Sequence, residues 1–159
     1  MRRILLLLFL WCGIWLTSAA QTGLFIENML NGKYASDPKV TETFMSGVGN
    51  KFLKKNHLTS FATFRGPATK YGEIAERWLL KDAEKANGKN VRYKGGKLYY
   101  GMYSFTPVSK KNGVKRNRYI YYLNNGVANG ENVLIIYMEG TLLEDEADKL
   151  VRSMIKGVK

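Results

Sequence analysis

The sequence predicts a single α+β domain behind an export signal, and three observations carry that reading. Short runs rich in Val, Ile, Thr and Tyr are bounded by Gly, Asn and Pro, the pattern of strands joined by tight turns. Two longer stretches switch to a helical period, one in the middle and one at the end. Ahead of both lies an apolar run of a different kind.

That run is Ile4 to Leu16 (ILLLLFLWCGIWL), preceded by Met1-Arg2-Arg3. Its thirteen residues fall short of the roughly 20 needed to span a bilayer and fit the hydrophobic region of a signal peptide. Thr17-Ser18-Ala19-Ala20 supplies the small residues that a signal peptidase reads, which places cleavage between Ala20 and Gln21. Residues 1–20 are thus expected to be a signal and 21–159 a single exported domain, periplasmic or extracellular, with no transmembrane segment in the mature chain. Cys12 could suggest a lipoprotein. Trp11 stands before it where a small residue belongs, and the apolar run continues past it, so the pattern argues against lipid anchoring. Once Cys12 leaves with the signal, no disulfide, thiolate metal site or cysteine nucleophile is available.

Along the mature chain, Phe25 with Met29 and Ile26 with Leu30 predict a short helix stopped by Asn31-Gly32. Residues 40–46 (VTETFMS) read as a strand, because β-branched residues dominate and Gly47 and Gly49 oppose a helix. Leu58 to Phe64 reads as the next strand, with Gly66-Pro67 closing it. From Thr69 to Ala86 the stripe Tyr71, Ile74, Ala75, Trp78, Leu79, Ala83 predicts an amphipathic helix, with Glu73 and Glu76 on its wet face. A hairpin over residues 90–105 follows. Arg118–Leu123 and Asn132–Met138 are further strands, and the unbroken apolar run of the latter predicts a central position with both faces covered. Thr141 and Glu144 have capping-box spacing, opening a last helix whose core stripe is Leu143, Ala147, Leu150, Val151, Met154. The expected architecture is a two-layer domain: a mostly antiparallel sheet of about five strands with the two main helices on one face.

Charge is the strongest compositional signal. Without Arg2 and Arg3, 23 basic residues face 13 acidic ones, a net +10. The whole excess lies between Lys85 and Gly130, which holds ten Lys or Arg and no Asp or Glu. Such a surface favours anionic partners and gives salt-sensitive adhesion.

Catalytic signatures are sparse. His57 is the single histidine, standing at the mouth of a strand, and no spacing assembles a metal site around it. No nucleophile elbow and no phosphate-binding glycine loop is present, and no cofactor is implied. Glu139, at the end of the apolar strand, is the one carboxylate placed where functional groups gather. Accepting backbone N–H groups or pairing with a cation is its simpler role.

The hairpin holds the remaining signal. Lys94-Gly95-Gly96-Lys97 fits a two-residue loop, setting Tyr93 opposite Leu98 and Arg92 opposite Tyr99. This register sends Val91, Tyr93, Leu98, Tyr100 and Met102 inward. It leaves Arg92, Lys94, Lys97, Tyr99, Tyr103 and Phe105 on a basic, aromatic face that Arg118 of the next strand could extend. Rings and cations in that mixture can hold sulfate or phosphate charges and stack on sugars. They also suit an ordinary sheet, since tyrosine favours strands and lysine protects edges.

The stretches LTSFATFRG, TKYGEIAERWLLKDAEKA, GKLYYGMYSFTP, RNRYIYYLNN and NVLIIYMEGTLLEDEADKLV together resemble small exported domains of unknown function from gut-type Gram-negative bacteria. The resemblance implies one α+β domain and an envelope location, and no activity. The expected function is a non-catalytic interaction or accessory module. Its candidate ligand-binding residues are Arg92, Lys94, Lys97, Tyr99, Tyr103 and Arg118, and its candidate partners anionic polysaccharide, lipopolysaccharide or a protein. Export and the missing Gly-Phe-aromatic signature argue against nucleic acid. The alternative is an envelope hydrolase with a carboxylate site near Glu139.

Overall fold

Six strands form one antiparallel sheet in the order β1-β2-β6-β5-β4-β3. They are β1 (Thr41–Ser46), β2 (Leu58–Pro67), β3 (Ala86–Lys94), β4 (Lys97–Ser109), β5 (Lys115–Asn124) and β6 (Asn132–Gly140). The helices are α1 (Lys51–Lys55), α2 (Ala68–Ala83) and α3 (Glu144–Lys156), and single 3₁₀ turns occupy Phe25–Met29 and Asn125–Ala128. The structure is a computed structural model and describes residues 23–109, 113–128 and 130–156. The expected signal peptide, with Cys12, lies outside the described residues. Among them no helix is long and apolar enough to cross a membrane.

The strand count is six where about five were expected, because β3 begins at Ala86, directly after α2, and runs the length of its hairpin. Asn87 and Gly88 are already part of that strand. Gly88 is needed there, since a Cβ would collide with the Ser104 side chain of β4. The helix α1 was not anticipated. Asn50 caps it by accepting the N–H groups of Phe52 and Leu53 at 2.9 and 3.2 Å.

A second correction concerns the layers. The main helices were expected on one face of the sheet, and they pack on opposite faces. On β5, Ile120 and Tyr122 join the core under α2, whereas Tyr119 and Tyr121 join the core under α3. On β6, Val133, Ile135 and Tyr137 face α2, and Ile136 and Met138 face α3. Strands that are apolar at consecutive positions have no wet side, so each face requires its own cover. Burying each Ile contributes roughly 1.5–3 kcal/mol, which leaving one face in water would forfeit. The central placement expected for β6 is found, between β2 and β5.

The α2 stripe is as the spacing predicted: Tyr71, Ala75, Leu79 and Ala83 are buried, with Ile74 and Trp78 at its margin. Asp82, also buried, accepts the backbone N–H groups of Phe25 and Ile26 at 2.7 and 2.8 Å and so fastens the 3₁₀ turn to α2. Burial raises the Asp82 carboxyl above its ordinary range, and these two bonds pull it back down.

The start of α3 differs from the sequence reading by two residues. Glu146 accepts the Leu143 N–H at 2.7 Å, so the capping contact belongs to Leu143 and Glu146 and not to Thr141 and Glu144. Leu143 is therefore a cap residue, exposed, while Ala147 and Val151 carry the buried stripe.

Candidate functional site

The β3–β4 turn is as expected: Gly95 and Gly96 both hold positive φ, 57° and 76°, the conformation of a two-residue hairpin loop. Lys94 pairs with Lys97 and Tyr93 with Leu98. The register then shifts. Arg92 stands opposite Tyr100 and Val91 opposite Gly101, which leaves Tyr99 as the extra residue of a β-bulge.

One extra residue reverses the face of everything beyond it, because side chains alternate with period two. Leu98, Tyr103 and Phe105 thus enter the core under α2, and Tyr100 and Met102 face α3. Tyr103, expected on the accessible face, is 1 % exposed. Desolvation, followed by the neighbouring charges of Tyr93 and Glu76, pushes its hydroxyl up to about 12. It is a core residue. Gly101 makes room for its ring, which a Cβ at that position would strike.

Of the other candidates, Lys94 and Lys97 are exposed at the hairpin tip and Tyr99 is half-buried. Lys97 also borders a groove of about 410 Å³ against α2, beside Glu73, Glu76 and Asn124. Glu76 is less solvated than its place on the helix suggested, accepting the Leu98 N–H at 3.4 Å. Arg118 lies at the other end of the sheet, its guanidinium 5.9 Å from the Phe105 ring centre and donating to the Thr106 carbonyl at 3.2 Å. The six residues do not converge on one surface.

Arg92 gains different neighbours. Its guanidinium lies 5.5 Å from the centre of the Tyr100 ring, which meets Tyr121 edge-on at 5.4 Å. These three side chains and the last turns of α3 enclose a cleft of about 250 Å³, to which α3 contributes Asp148, Arg152 and Lys156 over Val151 and Ile155. Asp148 accepts from Arg152 Nε at 2.7 Å, one helical turn apart. Burial raises both phenols, Tyr100 also through the Asp148 charge, so each is a neutral hydroxyl at neutral pH. The cleft therefore combines three cations, one carboxylate and two aromatic rings, a composition suited to an anionic ligand with a flat or ring-shaped body.

Arg152 and Lys156 were missed by sequence reasoning. The i,i+4 spacing of Asp148, Arg152 and Lys156 marks one helix face, but nothing local says which strand that face overlooks.

Glu139 is buried, 3 % exposed. The Tyr137 hydroxyl donates to its Oε2 at 2.9 Å, and Arg116 Nη1 lies 3.6 Å from Oε1. Burial first, then the Glu139 charge and this hydrogen bond, drives the Tyr137 hydroxyl far above its ordinary range. The carboxylate anchors neighbouring side chains from below the surface.

No curated protein and no solved structure matches this chain. A protein-family model described as "Family of unknown function (DUF6108)" matches residues 13–151. With that match running through all six strands and the first turns of α3, as far as Val151, the chain belongs to this family of unknown function.

Proposed function

We propose that the protein is a non-catalytic exported binding module whose Arg92 cleft takes anionic envelope polysaccharide, including the charged saccharides of lipopolysaccharide. The observation that carries this reading is the convergence of Arg92, Arg152 and Lys156 with the rings of Tyr100 and Tyr121 in one cleft. Sugars stack on aromatic faces, and carboxylate, phosphate or sulfate substituents pair with guanidinium groups. Arg92 rests on the Tyr100 ring and, among the described residues, pairs with no carboxylate, so its hydrogen-bond donors are available to an incoming anion. The basic excess between Lys85 and Gly130 would concentrate polyanions near the cleft before they dock. The N-terminal apolar run supports an envelope or extracellular setting for that encounter. The hydrolase alternative near Glu139 draws less support, because that carboxylate is enclosed and already engaged by Tyr137 and Arg116.

The test is binding of the mature chain to lipopolysaccharide, an anionic polysaccharide, nucleic acid and anionic vesicles over a salt series. The triple variant Arg92→Ala, Arg152→Ala, Lys156→Ala is expected to lose at least about tenfold in polysaccharide affinity, with a shallower salt slope. Unchanged affinity and slope would sink the proposal, as would a stronger response from nucleic acid or vesicles than from polysaccharide.

A further inference from the structure

His57 is the one residue other than glycine with positive φ among the described residues, at 56°. It follows α1 after one residue, the cap Asn56. Asn56 N–H donates to the Phe52 and Leu53 carbonyls at 3.2 Å each, and His57 N–H to Lys54 at 3.4 Å, so His57 occupies the left-handed position that ends a helix and usually holds glycine. An L side chain there carries a steric cost that glycine avoids. The neighbouring chain holds the conformation in place: the His57 carbonyl accepts the Thr141 N–H at 2.9 Å, and Gly140 packs so closely that a Cβ would collide with that carbonyl. A strained backbone kept where glycine would relieve it indicates that the imidazole has a use.

Its surroundings indicate which use. His57 borders a groove of about 560 Å³ whose lining includes Lys54, Arg116, Thr59 and Thr141 and no acidic side chain. Arg116 is held in place from behind, Nη1 lying 3.6 Å from the buried Glu139, and its Nε is buried with no hydrogen-bond partner among the described residues. Arg116 and Tyr121, which lines the Arg92 cleft, are five residues apart on β5, about 17 Å of strand. The two sites are separate.

We propose that Lys54, His57 and Arg116 form a second site, specific for a phosphate or sulfate group carried on a larger molecule. Arginine offers guanidinium N–H groups to such an oxyanion, lysine a point charge and imidazole a directed N–H. The groove exceeds one tetrahedral ion in volume, leaving space for the body that bears it. Glu139 is then a positioning residue, orienting Arg116 without touching the ligand.

As the chain's only histidine, His57 is a single proton-NMR reporter. Titration of the mature protein with inorganic phosphate, sulfate, glucose 6-phosphate and glucose is expected to shift its ring resonances saturably with the three oxyanions and not with glucose. His57→Gly should leave Tm unchanged or raised while weakening glucose 6-phosphate binding about tenfold. Arg116→Lys, which keeps the charge that Glu139 faces, should weaken it by a similar factor, and Arg92→Ala should not. The proposal fails if no oxyanion moves the His57 signals. It fails equally if His57→Gly and Arg116→Lys bind within twofold of the parent, or if Arg92→Ala abolishes binding while they do not.

Discussion

Arg92 and Tyr100 face each other across the β3–β4 ladder, the guanidinium 5.5 Å from the ring centre, because Tyr99 is bulged out between Tyr100 and Leu98. The pairing orients the arginine toward α3 and away from the open face of the hairpin. Tyr100→Ala should therefore reduce polysaccharide affinity by roughly fivefold, corresponding to about 1 kcal/mol of ring contact. Tyr99→Ala should change it less than twofold. Isothermal titration of both variants against the same polysaccharide decides this, and equal losses would contradict the cleft assignment.

Tyr103 and its neighbours at the hairpin tip should separate cleanly by the kind of effect they produce. Truncating the fully packed ring, Tyr103→Ala, should cost about 3–5 kcal/mol. Lys94→Ala and Lys97→Ala, at exposed positions, should stay within about 0.5 kcal/mol. Guanidinium unfolding curves compare the three. A mild Tyr103→Ala would mean that the ring is not part of the core.

The Asp82 carboxylate joins the N-terminal turn to α2 through two backbone N–H groups. Asp82→Ala removes the acceptor of both donors, one buried and one part-buried, for an expected loss of about 1–3 kcal/mol. Amide exchange at Phe25 and Ile26 should accelerate in step. Protection retained in the variant would show that Leu24, Ile26 and Met29 hold the segment by packing alone.

Acid should loosen the region around Asp37. Lys70 Nζ lies 2.7 Å from this carboxylate and the Tyr71 hydroxyl 2.8 Å. The Lys70 hydrogen bond, then the Lys39 N–H and the Tyr71 hydroxyl, hold its carboxyl well below the ordinary value of 3.8. The folded state thus binds fewer protons than the unfolded chain in this range. The stabilisation is full above the unfolded value and is lost as pH falls from there toward the folded one. Urea midpoints measured downward from pH 5 should fall more steeply for the parent than for Asp37→Asn. Parallel curves would refute the linkage.

Much of the fold was legible because its signals are local. The α2 stripe from Tyr71 to Ala83, the Gly95-Gly96 turn and the central apolar run Val133 to Met138 each express a period or a turn requirement within one element. The candidate site was legible only in part. Arg92 was among the candidate residues and lines the cleft, but Tyr103 was placed on the wrong face, since a bulge at Tyr99 has no signature in the run from Leu98 to Tyr103. Arg152 and Lys156 were invisible because their role depends on which sheet face α3 covers. Arg116 and His57 meet only through the approach of Gly140 to the end of α1.

By itself, then, the sequence determined a basic α+β chain with two amphipathic helices and glycine turns, since composition, periodicity and positive-φ demands act over a few residues. The tertiary structure decided which residues share a surface. One bulge reassigns every side chain beyond it, and two apolar sheet faces compel helices onto opposite sides. Both effects depend on pairing between segments distant in sequence, where no local pattern reaches.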